Sequence, residues 1–234
     1  MDRRSWLTVM ALGFALACNE RGGFEGTPKE ESVHIDLDKV EMVTAEFRQA
    51  AGEMEVEGGS QKLLEARFRY RDPSWKPKVQ YSSSGFRGRL SVEQQASKSA
   101  HGGQNSEWKL RLNETVPIDI KVHAGATEAK LNLASLNLRG VEVHAGVGQI
   151  TVDLRGQPVR DYNVDIRGGV GQATVYLPKR VNVIAQAHGG IGTINVSGLS
   201  KDGDRWVRRV SEIGVPTVRV DVRGGIGEIR LVGE

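Results

Sequence analysis

The second half of the chain carries five copies of one pattern: HAGATEAKLNL from His123, HAGVGQITVDL from His144, RGGVGQATVYL from Arg167, HGGIGTINVSG from His188 and RGGIGEIRLVG from Arg223. Their middle glycines, Gly125, Gly146, Gly169, Gly190 and Gly225, are separated by 21, 23, 21 and 35 residues. A period of about 21 residues indicates stacked units, here with one long insertion before the last copy.

Each unit reads as two strands around a glycine corner. In the second copy Val141 and Val143 alternate with Glu142 and His144. After the corner Ile150, Val152 and Leu154 alternate with Gln149, Thr151 and Asp153. The period of two separates an apolar face from a wet one. The same phase turns Ile118, Ile120, Val122, Val164, Ile166, Val183, Ala185, Ala187, Val218, Val220 and Val222 inward. One coil holds too few small aliphatics to offset the entropy of ordering its backbone, so coils must stack to be stable. The 29 glycines and the 6% aromatic content suit thin aliphatic coils with sharp corners. The expected fold class is therefore all-β: a parallel β-solenoid with coils of about 21 residues, preceded by an N-terminal β region of looser repeats. That region has candidate strands at residues 43–47, 64–70, 79–82, 88–92 and 108–112, with a further turn and strand at residues 51–58 and a polar loop at residues 97–106.

Stacked in chain order, outward residues form columns. One holds His123, His144, Arg167, His188 and Arg223, and its neighbour holds Lys121, Glu142, Asp165, Gln186 and Asp221. His123 and His144 beside Glu142 raise the thought of a metal, but the arginine in the column repels a cation, and a solvated polar column is the expectation. The Gly-x-Gly pairs at Gly146 and Gly190 are not nucleotide fingerprints, because a strand and not a helix follows them. Neither a metal nor a cofactor is expected.

The N-terminus reads as a targeting segment, with Arg3 and Arg4 ahead of a short apolar run at residues 6–17. Ala15-Leu16-Ala17-Cys18 resembles the lipobox of bacterial lipoproteins, departing from it at Ala15, where Leu is usual. That resemblance implies lipidation of Cys18 and a membrane anchor. Asn19, in place of the Asp that retains such proteins at the inner membrane, points to the outer membrane. Cys18 is the one cysteine, so no intramolecular disulfide is available. Removal of residues 1–17 takes away two arginines and one aspartate and lowers the net charge from +3 to +2. With both signs interspersed, nucleic acid is not an expected partner. The organisation expected is a signal peptide at 1–17, a lipidated cysteine and flexible tether at 18–32, an N-terminal β domain at 33–112 and repeats at 113–234.

The stretch VEMVTAEFRQAAGEMEVEGGSQKLLEARFRY, followed by PKVQY, resembles the N-terminal domain of the bacterial toast-rack family. GGIGTINVSGL and GGIGEIRLVG resemble the solenoid ends of toast-rack and related adhesin-type or cell-wall-stress proteins. The resemblance covers most of the chain after the tether. It implies a cell-envelope role and brings no catalytic residues.

The one long insertion, residues 197–215, reads as a loop in which Arg205, Trp206, Arg208 and Arg209 are candidate contacts for an envelope protein or glycan. A polysaccharide-acting β-helix enzyme would need a second set of carboxylates facing that loop, and none is present. The chain is thus expected to be non-enzymatic. Self-assembly through an open solenoid end is the other alternative. Charges at Arg219, Asp221, Arg223, Glu228 and Arg230 on the last unit predict a blunted edge and a monomer.

Overall fold

In the computed structural model the described residues are 27–94 and 106–233. They form thirteen strands in one sheet that folds around its own core. Cys18 and most of the polar loop at 97–106 lie outside the described residues. The strands are β1 (Lys29–Ile35), β2 (Met42–Ser60), β3 (Leu64–Tyr70), β4 (Pro77–Ser84), β5 (Arg87–Gln94), β6 (Glu107–Asn113), β7 (Ile118–Asn132), β8 (Leu138–Asp153), β9 (Tyr162–Tyr176), β10 (Asn182–Ser197), β11 (Ser200–Asp202), β12 (Arg205–Arg208) and β13 (Thr217–Val232).

The five repeat units are β7, β8, β9, β10 and β13, each a single strand that bends at its glycine corner and pairs in parallel with its neighbours. β2 is a sixth rung. It runs through a corner at Gly52 and pairs in parallel with β7 along both limbs, so the N-terminal half stacks directly on the repeats. All the residues assigned inward by the alternation are buried. Beyond β2, the end of the stack is covered by β5 on one limb and β6 on the other, with β4, β3 and β1 added antiparallel outside them.

The corners explain the glycines. A Cβ on Gly146 would stand 2.6 Å from the Gly125 carbonyl oxygen, and one on Gly169 would stand 2.4 Å from that of Gly146. The middle glycines are thus set by close approach between rungs. Positive φ falls instead on the second glycine of each Gly-x-Gly, as at Gly171 (φ +139°) and Gly227 (φ +136°).

The stacking order corrects the sequence expectation. It runs β2, β7, β8, β9, β13, β10, so the last strand in sequence enters between β9 and β10. The reason lies in the insertion, which is a hairpin and not a loop. β12 pairs antiparallel with the outer edge of β10 at residues 183–185, the place that sequential stacking would give β13. The long connection after it lets the chain return to the gap left beside β9, where Asp161 receives Thr217 N–H at 2.8 Å.

Candidate functional site

The wall before the corners carries the predicted polar columns in a new order: Arg48, His123, His144, Arg167, Arg223 and His188. Beside them run Glu46, Lys121, Glu142, Asp165, Asp221 and Gln186. Charges are paired within strands, two residues apart: Arg167 Nε donates to Asp165 at 2.9 Å and Arg223 Nε to Asp221 at 2.9 Å. Arg48 does the same with Glu46. Between rungs, Lys121 reaches Glu142 at 3.2 Å. The stacked arginines therefore each have a carboxylate on their own strand, and Lys121 has one on the next rung.

His123 and His144 lie face to face, ring centroids 5.3 Å apart. Each ring is turned to a carboxylate, His144 Nε2 to Glu142 at 2.7 Å and His123 Nε2 to Glu46 at 3.3 Å, and not to a common point. Among the described residues no group of three or more His, Cys, Asp or Glu side chains is placed to hold a metal. Burial, reinforced by Arg48, pushes the His123 pKa down. Hydrogen bonds from His144 and Lys121 hold Glu142 below the usual carboxylate range.

The corner itself carries the feature that the sequence reading missed. The residue after the middle glycine faces out, and in register it forms the column Ala126, Val147, Val170, Ile226, Ile191. Val147 is 56% exposed, Val170 47%, Ile226 51% and Ile191 72%. At about 4.8 Å per rung these four branched side chains make a continuous apolar ridge. The signal was present in the sequence as the middle letter of each Gly-x-Gly. On the far side of the ridge the wall is polar, with Glu228 receiving Arg230 Nε at 2.7 Å, Asn195 Nδ2 at 2.7 Å and Gln172 Nε2 at 3.4 Å.

The four candidate contacts of the insertion separate. Arg205 and Arg209 are exposed, 3.8 Å from Asp204 and 3.2 Å from Asp202 respectively. Trp206 packs partly against the core, opposite Ala185, with Lys201 Nζ 6.0 Å from its ring centre. Arg208 is turned to the backbone. Its guanidinium donates to the carbonyls of Pro178 at 2.6 Å, Lys179 at 3.2 Å and Gly198 at 3.0 Å, and also to that of Gly233. It ties the hairpin to the β9–β10 connection and to the end of β13. Arg208→Ala strands these carbonyls and is expected to lower stability by about 2–3 kcal/mol, read as a drop in urea midpoint, with Arg209→Ala within about 0.5 kcal/mol of wild type.

These features define a parallel β-solenoid whose outer wall is built of a branched aliphatic ridge between two polar ladders. The chain belongs to the toast-rack family: the family described as "N-terminal domain of toast_rack, DUF2154" matches residues 24–176. The fold is similar to the crystal structure of a candidate cell adhesion protein from Clostridium sporogenes ATCC 15579, at 30% identity and a TM-score of 0.85, over 89% of this chain and all (100%) of that one. A candidate adhesin from Bacteroides fragilis NCTC 9343 matches at 10% identity with a TM-score of 0.32, over 88% of this chain and 97% of that one. No curated protein matches. No helix among the described residues is long and apolar enough to cross a membrane.

Proposed function

We propose that this is a non-enzymatic, adhesion-type protein of the cell envelope, held by a lipid on Cys18 and presenting its solenoid wall for binding. The observation that carries the reading is the ridge of Val147, Val170, Ile226 and Ile191, which stays exposed although aliphatics elsewhere on the same strands, such as Val143, Ile166, Val222 and Val183, are buried. An exposed apolar row rimmed by polar residues marks a contact surface. The similarity to the C. sporogenes protein supports the adhesion class. The partner is an envelope protein or glycan, and Arg205, Trp206 and Arg209 on the hairpin offer further contacts. The tether is shorter than the sequence suggests, because residues 29–32 are part of β1 and pair with β3; the residues between Cys18 and Lys29 give the reach, and Asn19 favours an outer-membrane position.

The test is attachment of cells displaying the full-length protein, both to purified peptidoglycan and to cells of their own kind. A Val147→Ser/Val170→Ser/Ile226→Ser variant alters side chains that face away from the core and is expected to reduce attachment by about tenfold or more. Cys18→Ala is expected to abolish it, together with incorporation of a labelled fatty acid. If the triple variant and Trp206→Ala/Arg209→Ala both attach as wild type does, the binding role is lost. Labelling that is equal in wild type and Cys18→Ala removes the anchor.

A further inference from the structure

The two ends of the stack differ. At the β2 end both limbs are covered, by β5 and by β6. At the β10 end the hairpin covers only residues 183–185. From Gln186 to Ser197 the outer edge of β10 meets no strand among the described residues, while its inner edge pairs with β13 throughout. In a parallel ladder alternate residues aim their N–H and C=O groups to the outer side, so this edge is a row of unpaired backbone groups.

Its side chains do nothing to blunt it. Residues 189–200 contain no Asp, Glu, Lys, Arg or Pro. The other outer strands do carry charges, Lys29, Glu30 and Glu31 on β1, Lys78 on β4, Lys201 and Asp202 on β11. The charges expected to protect the end, Glu228 and Arg230 among them, sit one rung inside it on β13. The core is also left open here: Ile194 is 38% exposed, whereas Ile229, its partner on β13, is 3% exposed. The edge has the form of a rung waiting for its neighbour.

We propose that the neighbour is the same edge of a second copy, paired antiparallel about a two-fold axis at Ile194. In that register Ile194 faces Ile194 of the partner copy, each Thr193 faces an Asn195, and Gly192 leaves room for Val196. An uncharged strand meets itself without like-charge repulsion, which a charged edge would not. Two-fold pairing is self-complementary and uses up the open edge of both copies. Because the opposite end is covered, the assembly stops at a dimer and does not grow into a filament. β1 lies at the far end of the strand order from β10, so the chains' N-terminal tethers leave from opposite ends of the joined rod. On the adhesion reading, on which only this last point rests, such a dimer links two surfaces.

Sedimentation of the purified full-length protein in detergent is the test. Wild type is expected to be dimeric at micromolar concentration. Thr193→Lys/Asn195→Lys keeps Glu228 beside both new lysines, opposite residue 193 in the register and within reach of residue 195, which itself stands opposite Arg230. It sets lysine against lysine across the axis and is expected to weaken association by about tenfold or more. Its melting curve verifies the fold, and Ile191→Lys, at an exposed position, provides a second blunted edge. The ridge triple-serine variant should remain dimeric, which separates this contact from the binding wall. A monomeric wild type, including one that pairs only with a different protein, overturns the proposal, as does a dimer that neither lysine variant weakens.

Discussion

Replacement of Gly171 by alanine is expected to cost about 4 kcal/mol or more and to leave little folded protein at 37 °C, a loss large enough to be diagnostic of a backbone conflict. Two effects act together. The backbone at φ +139° lies in a region that residues with a Cβ rarely enter. The new methyl would also stand 1.8 Å from the Gly148 carbonyl oxygen of the rung below. No side chain can yield there, so the rungs themselves must part, and the parallel hydrogen bonds at the corner part with them. Gly203, at the hairpin turn, is the control. It has φ +63° and open space around its missing Cβ. Gly203→Ala should cost only the backbone penalty of about 1–2 kcal/mol. Thermal melts of the two variants beside wild type decide the matter: equal losses would mean that the stacking contact at the corner contributes nothing.

Trp108→Ala is expected to destabilise by about 3–5 kcal/mol, a large share of the stability of an ordinary domain. Trp108 on β6 is fully buried, packs edge-to-face with Phe68 with centroids 5.6 Å apart, and donates from Nε1 to Ser106 Oγ at 3.1 Å. Its loss opens a void in the layer that closes the β2 end of the stack. Trp108→Phe should recover much of the loss, since it restores most of the volume and forgoes one hydrogen bond. Trp75→Ala, half-buried at the rim, should cost clearly less. Urea unfolding followed by circular dichroism separates the three, and a Trp108→Ala midpoint indistinguishable from that of Trp75→Ala would show that the cap does not support the stack.

The rungs, their inward faces and their corners were legible because each leaves a local mark: alternation over five to seven residues, then glycine. The stacking order left none. All the units share one pattern, so any permutation of them satisfies the same burial, and the choice is made by the hairpin that occupies the outer edge of β10. That hairpin had a readable sign in Gly203-Asp204, a turn dipeptide between short alternating segments. Arg208 and Arg209 are adjacent in sequence, yet one holds backbone carbonyls and the other faces solvent. Which arginine points in depends on where the carbonyls of Pro178 and Gly233 arrive, and that is a product of the whole fold. The ridge was hidden for a different reason: exposed valines and isoleucines give no contrast until register aligns them.

The entry of β13 between β9 and β10 also bears on how the chain comes to be folded. A protein emerging N-terminus first can lay β2, β7, β8 and β9 onto one another as each appears, but β10 then has no native place to dock. Its inner neighbour has not yet been made. The tenth strand and its hairpin must wait, apolar face uncovered, until the last strand arrives and is gripped from both sides at once. Assembly of the distal third is thus a single late event and not a continuation of the zipper. Pulling out the C-terminal strand would not peel one rung from the end. It would part the stack between β9 and β10 and release β10 with it.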